Sequence, residues 1–208
     1  MALPVINPGS RALGAGRTGS GKSTWGKWMI ARSPLSWVIL NPKHTAAYKD
    51  LPDATTIKSL NMRDVEKGLS RFQYVIVNPE SADASPDSMD DFVMNLHNSF
   101  SHVGLCCDEL YSLHKGGVAG QGLIGYLTRG RELKQSFLGL TQRPAWLSQF
   151  LFSESDYICG MALALEKDRK RMVEMTGKSE FLARVPPRNW LWYDVAAEFL
   201  AYYGAVPI

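Results

Sequence analysis

The sequence predicts an α/β fold, in which a mostly parallel sheet is flanked by helices within a single domain. Short apolar runs recur along the chain, and most are apolar at nearly every position, as in strands covered on both faces of a parallel sheet. Segments with a helical pattern separate these runs, and the alternation of strand and helix is typical of a doubly wound domain. The length of 208 residues suits one domain of ordinary size.

Strand and helix candidates alternate along the chain. The apolar runs predict strands at residues 11–15, 37–41, 74–78, 104–107, 137–141 and 157–163. The intervening segments predict helices at residues 22–31, 87–99, 121–133, 146–151 and 167–175. Towards the carboxyl end we expect a strand at residues 190–193 and a final helix at residues 195–203. The polar segment 81–88 indicates an exposed loop rather than a domain boundary, because β-type runs lie on both sides of it.

Charge and cysteine content limit the chemistry. The net charge is +3, from 23 basic and 20 acidic residues, so any binding to nucleic acid must come from local basic patches. The three cysteines have no zinc-site spacing, and we expect buried, reduced thiols. The sequence has neither a secretory signal nor an apolar run that could span a bilayer. We therefore expect a soluble, cytoplasmic chain without membrane insertion.

The strongest motif follows the first predicted strand. Residues 16–23 read GRTGSGKS and match the P-loop pattern G-x-x-x-x-G-K-[ST] without departure. Its glycines let backbone N–H groups face phosphate oxygens, and the next helix presents its positive end to the same anion. We expect Lys22 to reach the β and γ phosphates of ATP and the Ser23 hydroxyl to ligate Mg²⁺. The predicted nucleotide-binding residues are Gly16, Arg17, Thr18, Gly19, Ser20, Gly21, Lys22, Ser23 and Thr24; for Thr24, capping or packing is an equal alternative.

A second apolar run ends in two acids, Asp108 and Glu109. In a parallel sheet, the carboxyl end of this strand lies beside the P-loop. Asp108 is there a candidate Mg²⁺ ligand, and Glu109 a candidate base that polarises the attacking water. The pair favours a hydrolase over a small-molecule kinase. Taken alone, the two acids are equally consistent with the opening of a loop or a helix cap.

A third apolar run ends in the polar sequence TQRP at residues 141–144. Gln142 would face the γ-phosphate from the tip of its strand, where its amide can bond the phosphate or the attacking water. Pro144 suits the end of a strand and the first turn of a helix. The alternative is a solvated turn between strand and helix.

Four segments in this order resemble the FtsK–HerA superfamily of ring-forming, DNA-pumping ATPases. They are GRTGSGKS at 16–23, VILNPK at 38–43, LCCDE at 105–109 and TQRP at 141–144. The resemblance spans about residues 12–165, and TQRP after an Asp-Glu strand is its most specific element. It implies a RecA-like P-loop NTPase fold of the ASCE type. The chain departs from the family at Asn41, where the cellular translocases have an aspartate before the Pro-Lys pair.

The resemblance also implies an arginine that reaches the nucleotide of a neighbouring subunit. Arg129 and Arg131 precede the predicted Gln142 strand and are the candidates, with Arg143 as a third. A cation inserted in this way stabilises charge that develops on the transferred phosphoryl group. For each of them, a solvated arginine at a helix end is the alternative.

A P-loop motor of this length resembles the genome-packaging ATPases of tailless icosahedral, membrane-containing viruses with double jelly-roll capsids. The implied function is ATP-driven packaging of double-stranded DNA into a preformed capsid, without sequence preference. The implied partners are DNA, further copies of the chain in a hexameric or pentameric ring, and capsid vertex proteins. The implied locations are the host cytoplasm and the packaging vertex of the virion. A cellular or plasmid translocase, a monomeric P-loop kinase and a slow nucleotide switch are the alternatives.

Two segments are candidates for contact with DNA or with other subunits. The glycine-rich segment 114–122 could project into the channel of a ring, where Lys115 would hold backbone phosphates. The basic run at residues 167–171 is more typical of a solvated helix face.

Overall fold

The computed structural model describes residues 3–115 and 117–206. Its strands are β1 (Arg11–Ala15), β2 (Ser36–Leu40), β3 (Ala54–Ile57), β4 (Tyr74–Val77), β5 (Val103–Cys107), β6 (His114–Lys115), β7 (Val118–Ala119), β8 (Ser136–Thr141), β9 (Tyr157–Gly160), β10 (Trp190–Asp194) and β11 (Phe199–Tyr203). Its helices are α1 (Lys22–Ala31), α2 (Met62–Leu69), α3 (Pro86–Ser99), α4 (Gln121–Arg129), α5 (Gln149–Ser153) and α6 (Glu166–Thr176). The predicted α/β class is confirmed.

The main sheet has the strand order β11-β10-β9-β1-β8-β5-β2-β4-β3. The strands from β9 to β3 are parallel to one another, whereas β10 and β11 are antiparallel additions at one edge. The strand β8 lies between β1 and β5, in register with both. This arrangement brings the carboxyl ends of β1, β8 and β5 side by side.

Both faces of the sheet are buried, which explains the continuous apolar runs. Along β2, Val38 and Leu40 pack into the core on one face, and Trp37 and Ile39 pack into the core on the other. Helix α1 lies close against the second face. A Cβ atom added at Gly26 would stand 2.7 Å from a methyl group of Leu140, so the absence of a side chain there permits this close approach.

The prediction of a final helix at residues 195–203 is wrong. The segment forms a tight turn, in which Glu198 has a φ of 52°, and then the strand β11. β11 pairs antiparallel with β10. Its aromatic residues fit a pleated edge strand better than a helix, and Phe199 and Tyr202 are both exposed on it.

The sequence also left two elements between β2 and β4 unrecognised. The strand β3 is a short, half-buried edge strand, and α2 is mostly polar, with Val65 and Gly68 as its buried residues. The segment expected as a glycine-rich loop contains the antiparallel pair β6 and β7. Within the described ranges, no helix is long and apolar enough to cross a membrane.

Candidate nucleotide-binding site

The P-loop joins β1 to α1 and is tied to the strands on both sides of β1. The Gly16 N–H donates to the Thr141 carbonyl at 3.0 Å, at the end of β8. The Arg17 N–H donates to the Ala162 carbonyl at 2.8 Å, just beyond β9. Gly19 and Gly21 have φ values of +76° and +93°, in the left-handed region that side chains disfavour. The loop is therefore held at the edge of the sheet in the conformation that its glycines allow.

Lys22 and Ser23 open helix α1. The residue before them, Gly21, has no side chain to cap the helix, so the first backbone N–H groups of α1 face the loop. A helix start with uncapped N–H groups favours a bound anion. Lys22 is the first residue of α1 and is 6% exposed. The arrangement suits the phosphates of a nucleotide.

Asp108 lies beside Ser23, as expected, and three hydroxyl groups donate to its carboxylate. Oδ1 accepts from Ser23 Oγ at 2.9 Å and from the Tyr48 hydroxyl at 3.0 Å. Oδ2 accepts from Thr45 Oγ1 at 2.9 Å. Asp108 is buried. Burial, with the nearby Cys106 and Asp108, raises the pKa of Tyr48 well above its usual value, so its phenol stays a donor.

The Ser23–Asp108 pair suits a magnesium ion shared with a nucleotide. Hydroxyl and carboxylate oxygens are the hard ligands that Mg²⁺ prefers. Among residues 3–115 and 117–206, no group of three or more His, Cys, Asp or Glu side chains could enclose a metal by itself. Mg²⁺ is commonly held by one or two protein oxygens together with substrate phosphates and water, and the donor set at Ser23 and Asp108 fits that mode.

Glu109 is paired with Lys43, whose Nζ contacts its Oε2 atom. The Glu109 side chain is 8% exposed and that of Lys43 is 52% exposed. The ammonium group therefore reaches from the surface to a nearly buried carboxylate. One oxygen of Glu109 is fixed by this contact, which orients the carboxylate at the carboxyl end of β5.

Asn41, the departure from the family pattern, has a clear structural role. It is buried, and its amide nitrogen donates to Asn78 Oδ1 at 2.9 Å. Its side-chain oxygen accepts from the Thr45 backbone N–H at 3.0 Å. Asn41 thus fixes the loop after β2, and this loop in turn carries the two hydroxyls that reach Asp108.

Gln142 contacts the P-loop directly, because its Oε1 accepts from Thr18 Oγ1 at 2.9 Å. The next residue, Arg143, points away from the loop. Its Nε donates to Asp168 Oδ2 at 3.1 Å, and its guanidinium lies 4.2 Å from the ring centre of Trp146. The structure therefore brings together the P-loop, the Asp-Glu strand end and Gln142, while Arg143 connects the third strand end to α6.

Arg129 and Arg131 lie at the opposite edge of the sheet. Arg131 lies near Gly9, just before β1, since a Cβ atom added at Gly9 would stand 3.4 Å from the Arg131 carbonyl oxygen. Arg131 Nη2 donates to Asp156 Oδ1 at 2.6 Å. Arg129 is exposed at the end of α4. The five residues of β1 separate this edge from the P-loop by roughly 16 Å. The structure does not bring either arginine to the P-loop of its own chain.

The two candidate contact segments differ in what the structure describes. Gly116 and the side chain of Lys115 lie outside the described part, so that prediction stays open. The basic run at residues 167–171 lies on α6 and contains Asp168, which is 2% exposed and bonded to Arg143. This helix face is therefore not simply solvated.

Sequence reasoning missed the roles of Lys43, Thr45 and Tyr48. Lys43 had a signal, since it belongs to the segment that carries the family resemblance. Thr45 and Tyr48 follow in a loop without periodicity, and nothing in their spacing indicates that both hydroxyls turn back to Asp108.

Comparison with known proteins supports the same grouping. The chain is 29% identical over 173 residues to the DNA packaging ATPase P9 of Enterobacteria phage PRD1, over 82% of this chain and 71% of that protein. The chain is similar to a viral packaging ATPase. No family model matches it. The resemblance to packaging ATPases that the motifs indicate is therefore confirmed.

Solved structures confirm the fold. The genome packaging NTPase B204 of Sulfolobus turreted icosahedral virus 2, in complex with AMP, superposes with a TM-score of 0.76 at 18% identity, over 97% of this chain and 100% of that one. VirB4 of Thermoanaerobacter pseudethanolicus gives a TM-score of 0.71 at 10% identity, over 96% of this chain and 89% of that one.

Proposed function

We propose that this chain is an ATP-driven motor that packages double-stranded DNA into a preformed viral capsid. The convergence of the P-loop, the Asp-Glu strand end and Gln142 in one site carries the proposal of nucleotide hydrolysis. The similarity to the packaging ATPase P9 over 82% of the chain supports the viral task over a cellular or plasmid translocase. A monomeric kinase is less well supported, because a small-molecule kinase has less use for a carboxylate such as Glu109 that can activate water.

The nucleotide would bind with its phosphates against the P-loop. Backbone N–H groups of residues 18, 19 and 21–23 and the Lys22 ammonium group would hold the β and γ phosphates. Ser23 and Asp108 would hold Mg²⁺, which supplies positive charge against the phosphate oxygens when bound. The three hydroxyls around Asp108 keep its carboxylate pointing at Ser23.

Glu109 is the proposed general base. Its Oε1 atom would accept the proton of a water molecule as that water attacks the γ-phosphorus. The bond from the γ-phosphorus to the β–γ bridging oxygen then breaks, leaving ADP and phosphate. The Lys43 contact fixes the other oxygen of Glu109. Gln142 would hydrogen-bond the γ-phosphate or the water, exchanging the Thr18 partner that it has in the structure.

A ring explains the two distant arginines. In a hexamer or pentamer, the amino-terminal sheet edge of one subunit would face the P-loop of the next, so that Arg129 or Arg131 completes the neighbour's site. Arg131 is bonded to Asp156 of its own chain and must leave that partner to act, whereas Arg129 is exposed. Capsid vertex proteins are the proposed docking partner of the ring, in the host cytoplasm and in the virion.

The decisive experiment measures ATP hydrolysis with and without double-stranded DNA, over a range of protein concentrations. A ring motor predicts turnover that rises with DNA and rises steeply with protein concentration, because each site needs a neighbour. Glu109→Gln is the control, and it should bind ATP without hydrolysing it. Turnover that ignores both DNA and protein concentration would contradict the proposal and favour a monomeric enzyme.

A further inference from the structure

The carboxylate of Asp168, on the first turn of α6, holds the chain directly after β8. Asp168 is 2% exposed. Its Oδ2 accepts from Arg143 Nε at 3.1 Å, and its Oδ1 accepts from the Ala145 backbone N–H at 3.2 Å. Both carboxylate oxygens are therefore engaged, by residues that lie one and three positions after Gln142. We call these two contacts the Asp168 clamp.

The Asp168 clamp joins the segments that follow the two neighbours of β1. Arg143 and Ala145 follow β8, whereas α6 follows β9, and β1 lies between β8 and β9 in the sheet. The connection from β9 to α6 is itself fastened to the P-loop, because the Ala162 carbonyl accepts from the Arg17 N–H at 2.8 Å. The clamp therefore links strands about 10 Å apart, across the end of β1 where the P-loop begins.

Gln142 is held by its neighbours on both sides along the chain. The preceding residue, Thr141, is the last of β8 and pairs with β1. The following residue, Arg143, donates its backbone N–H to Thr141 Oγ1 at 3.1 Å and its side-chain Nε to Asp168. The backbone of Gln142 is thus fixed by the sheet on one side and by the Asp168 clamp on the other.

The exact position of Gln142 matters because hydrogen bonds weaken steeply with distance and angle. A displacement of about 1 Å near a reacting centre can cost on the order of 10²-fold in rate. A buried carboxylate with a partner on each oxygen resists displacement, because movement would leave a buried charge with an unmade bond. The Asp168 clamp therefore limits how far the amide of Gln142 can move away from the P-loop.

We infer that Asp168 is a positioning residue for Gln142 and sets how strongly the site distinguishes ATP from ADP. Asp168 acts through Arg143 and Ala145 rather than on the nucleotide itself. The inference rests on the proposed function, since it assumes that Gln142 bonds the γ-phosphate. ADP lacks that phosphate, so loss of the Asp168 clamp weakens the binding of the triphosphate and leaves ADP binding unchanged.

The test measures the affinities of ADP and of the non-hydrolysable ATP analogue AMPPCP by titration calorimetry with Mg²⁺ present. Asp168→Asn keeps the shape of the side chain but leaves one acceptor oxygen for two donors. We expect the affinity for AMPPCP to fall about tenfold and the affinity for ADP to stay the same. Arg143→Met removes the clamp from the other side and keeps a side chain that can lie on Trp146; it should shift the ratio of the two affinities in the same direction.

Asp90→Asn is the matched control, because Asp90 holds the start of α4 with the same kind of paired contact. Its Oδ2 and Oδ1 accept from the backbone N–H groups of Gly122 at 2.8 Å and Leu123 at 2.9 Å. The substitution also removes one of two bonds, but between α3 and α4 instead of at the end of β8. It should lower the Tm, as Asp168→Asn should, and leave the ratio of AMPPCP to ADP affinity unchanged. An equal change of that ratio in both variants would overturn the inference.

A double-mutant cycle with Gln142→Ala shows whether Asp168 acts through Gln142. If it does, Asp168→Asn causes no further loss of AMPPCP affinity once residue 142 is alanine. Additive losses, or an unchanged affinity ratio in the Asp168 and Arg143 variants, would overturn the inference and leave the proposed function intact. An unchanged ratio in Gln142→Ala would overturn both the inference and the proposed role of Gln142. Failure of the wild-type chain to bind either nucleotide would overturn the proposed function as a whole.

Discussion

Replacing Tyr48 with phenylalanine tests how the structure holds Asp108. Tyr48 is 1% exposed, and its hydroxyl donates to Asp108 Oδ1 at 3.0 Å. The substitution keeps the ring and its packing and removes one hydrogen bond to a charged group, a contact that contributes about 1.5–3 kcal/mol. The Asp108 carboxylate keeps its hydrogen bonds from Ser23 and Thr45, so the substitution removes one of its three hydroxyl donors. For a chain of this size, the loss corresponds to a drop in Tm of roughly 3–12 °C.

Thermal unfolding without nucleotide, followed by calorimetry, measures this loss. Tyr111→Phe is the matched control, because the Tyr111 hydroxyl is at the surface and has no hydrogen bond within the described ranges. It should change the Tm by less than about 2 °C. An unchanged Tm in the Tyr48 variant, or an equal loss in both variants, would refute the account of the hydroxyl cluster.

Three further predictions concern the second acid, a buried histidine and the thiols. Lys43→Met should lower ATP turnover about tenfold or more and leave ATP affinity unchanged, because Glu109 loses the contact that orients it. Steady-state kinetics and binding titrations measure the two quantities, and unchanged turnover would contradict the prediction. Burial lowers the pKa of His114, and the hydrogen bond to the Leu110 carbonyl partly opposes this shift. The unfolded state therefore binds the proton more readily than the folded state. As the pH drops below about 6.5, the free energy of unfolding should decrease. His114→Asn should flatten that decline in urea titrations, and an unaltered pH profile would argue against it. Burial raises the pKa of the three cysteine thiols, those of Cys106, Cys107 and Cys159. A thiol reagent should therefore modify none of them at neutral pH until the chain unfolds, and rapid labelling of the native chain would contradict this.

The sequence predicted the parts of the fold that depend on burial on both faces. The strands β1, β2, β4, β5 and β8 were recognisable because continuous apolar runs have few other uses in a chain of this length. The edge elements were not: β3 is half-buried, and β11 exposes aromatic side chains that resemble a helix face when read without its partner. Pairing with β10 decides the conformation of β11, and pairing is not visible in a local pattern.

The candidate site also has parts that the sequence predicts and parts that it does not. The common location of the P-loop, Asp108, Glu109 and Gln142 was predictable, because each follows directly from the end of a strand. The side chains that hold them arrive from elsewhere: Lys43, Thr45 and Tyr48 cross from the loop after β2. These contacts form because β2 lies next to β5 in the sheet, and the order of strands in the sheet cannot be read from a local sequence pattern.

The strand β8 has a mechanical consequence that follows from its two neighbours. Its residues pair with β1 on one side and with β5 on the other, so it can neither stretch nor slip by a residue without breaking two ladders of hydrogen bonds. One end carries Gln142 against the P-loop, and the other begins a few residues after Arg131. β8 is therefore a stiff connection of roughly 20 Å between the two edges of the sheet.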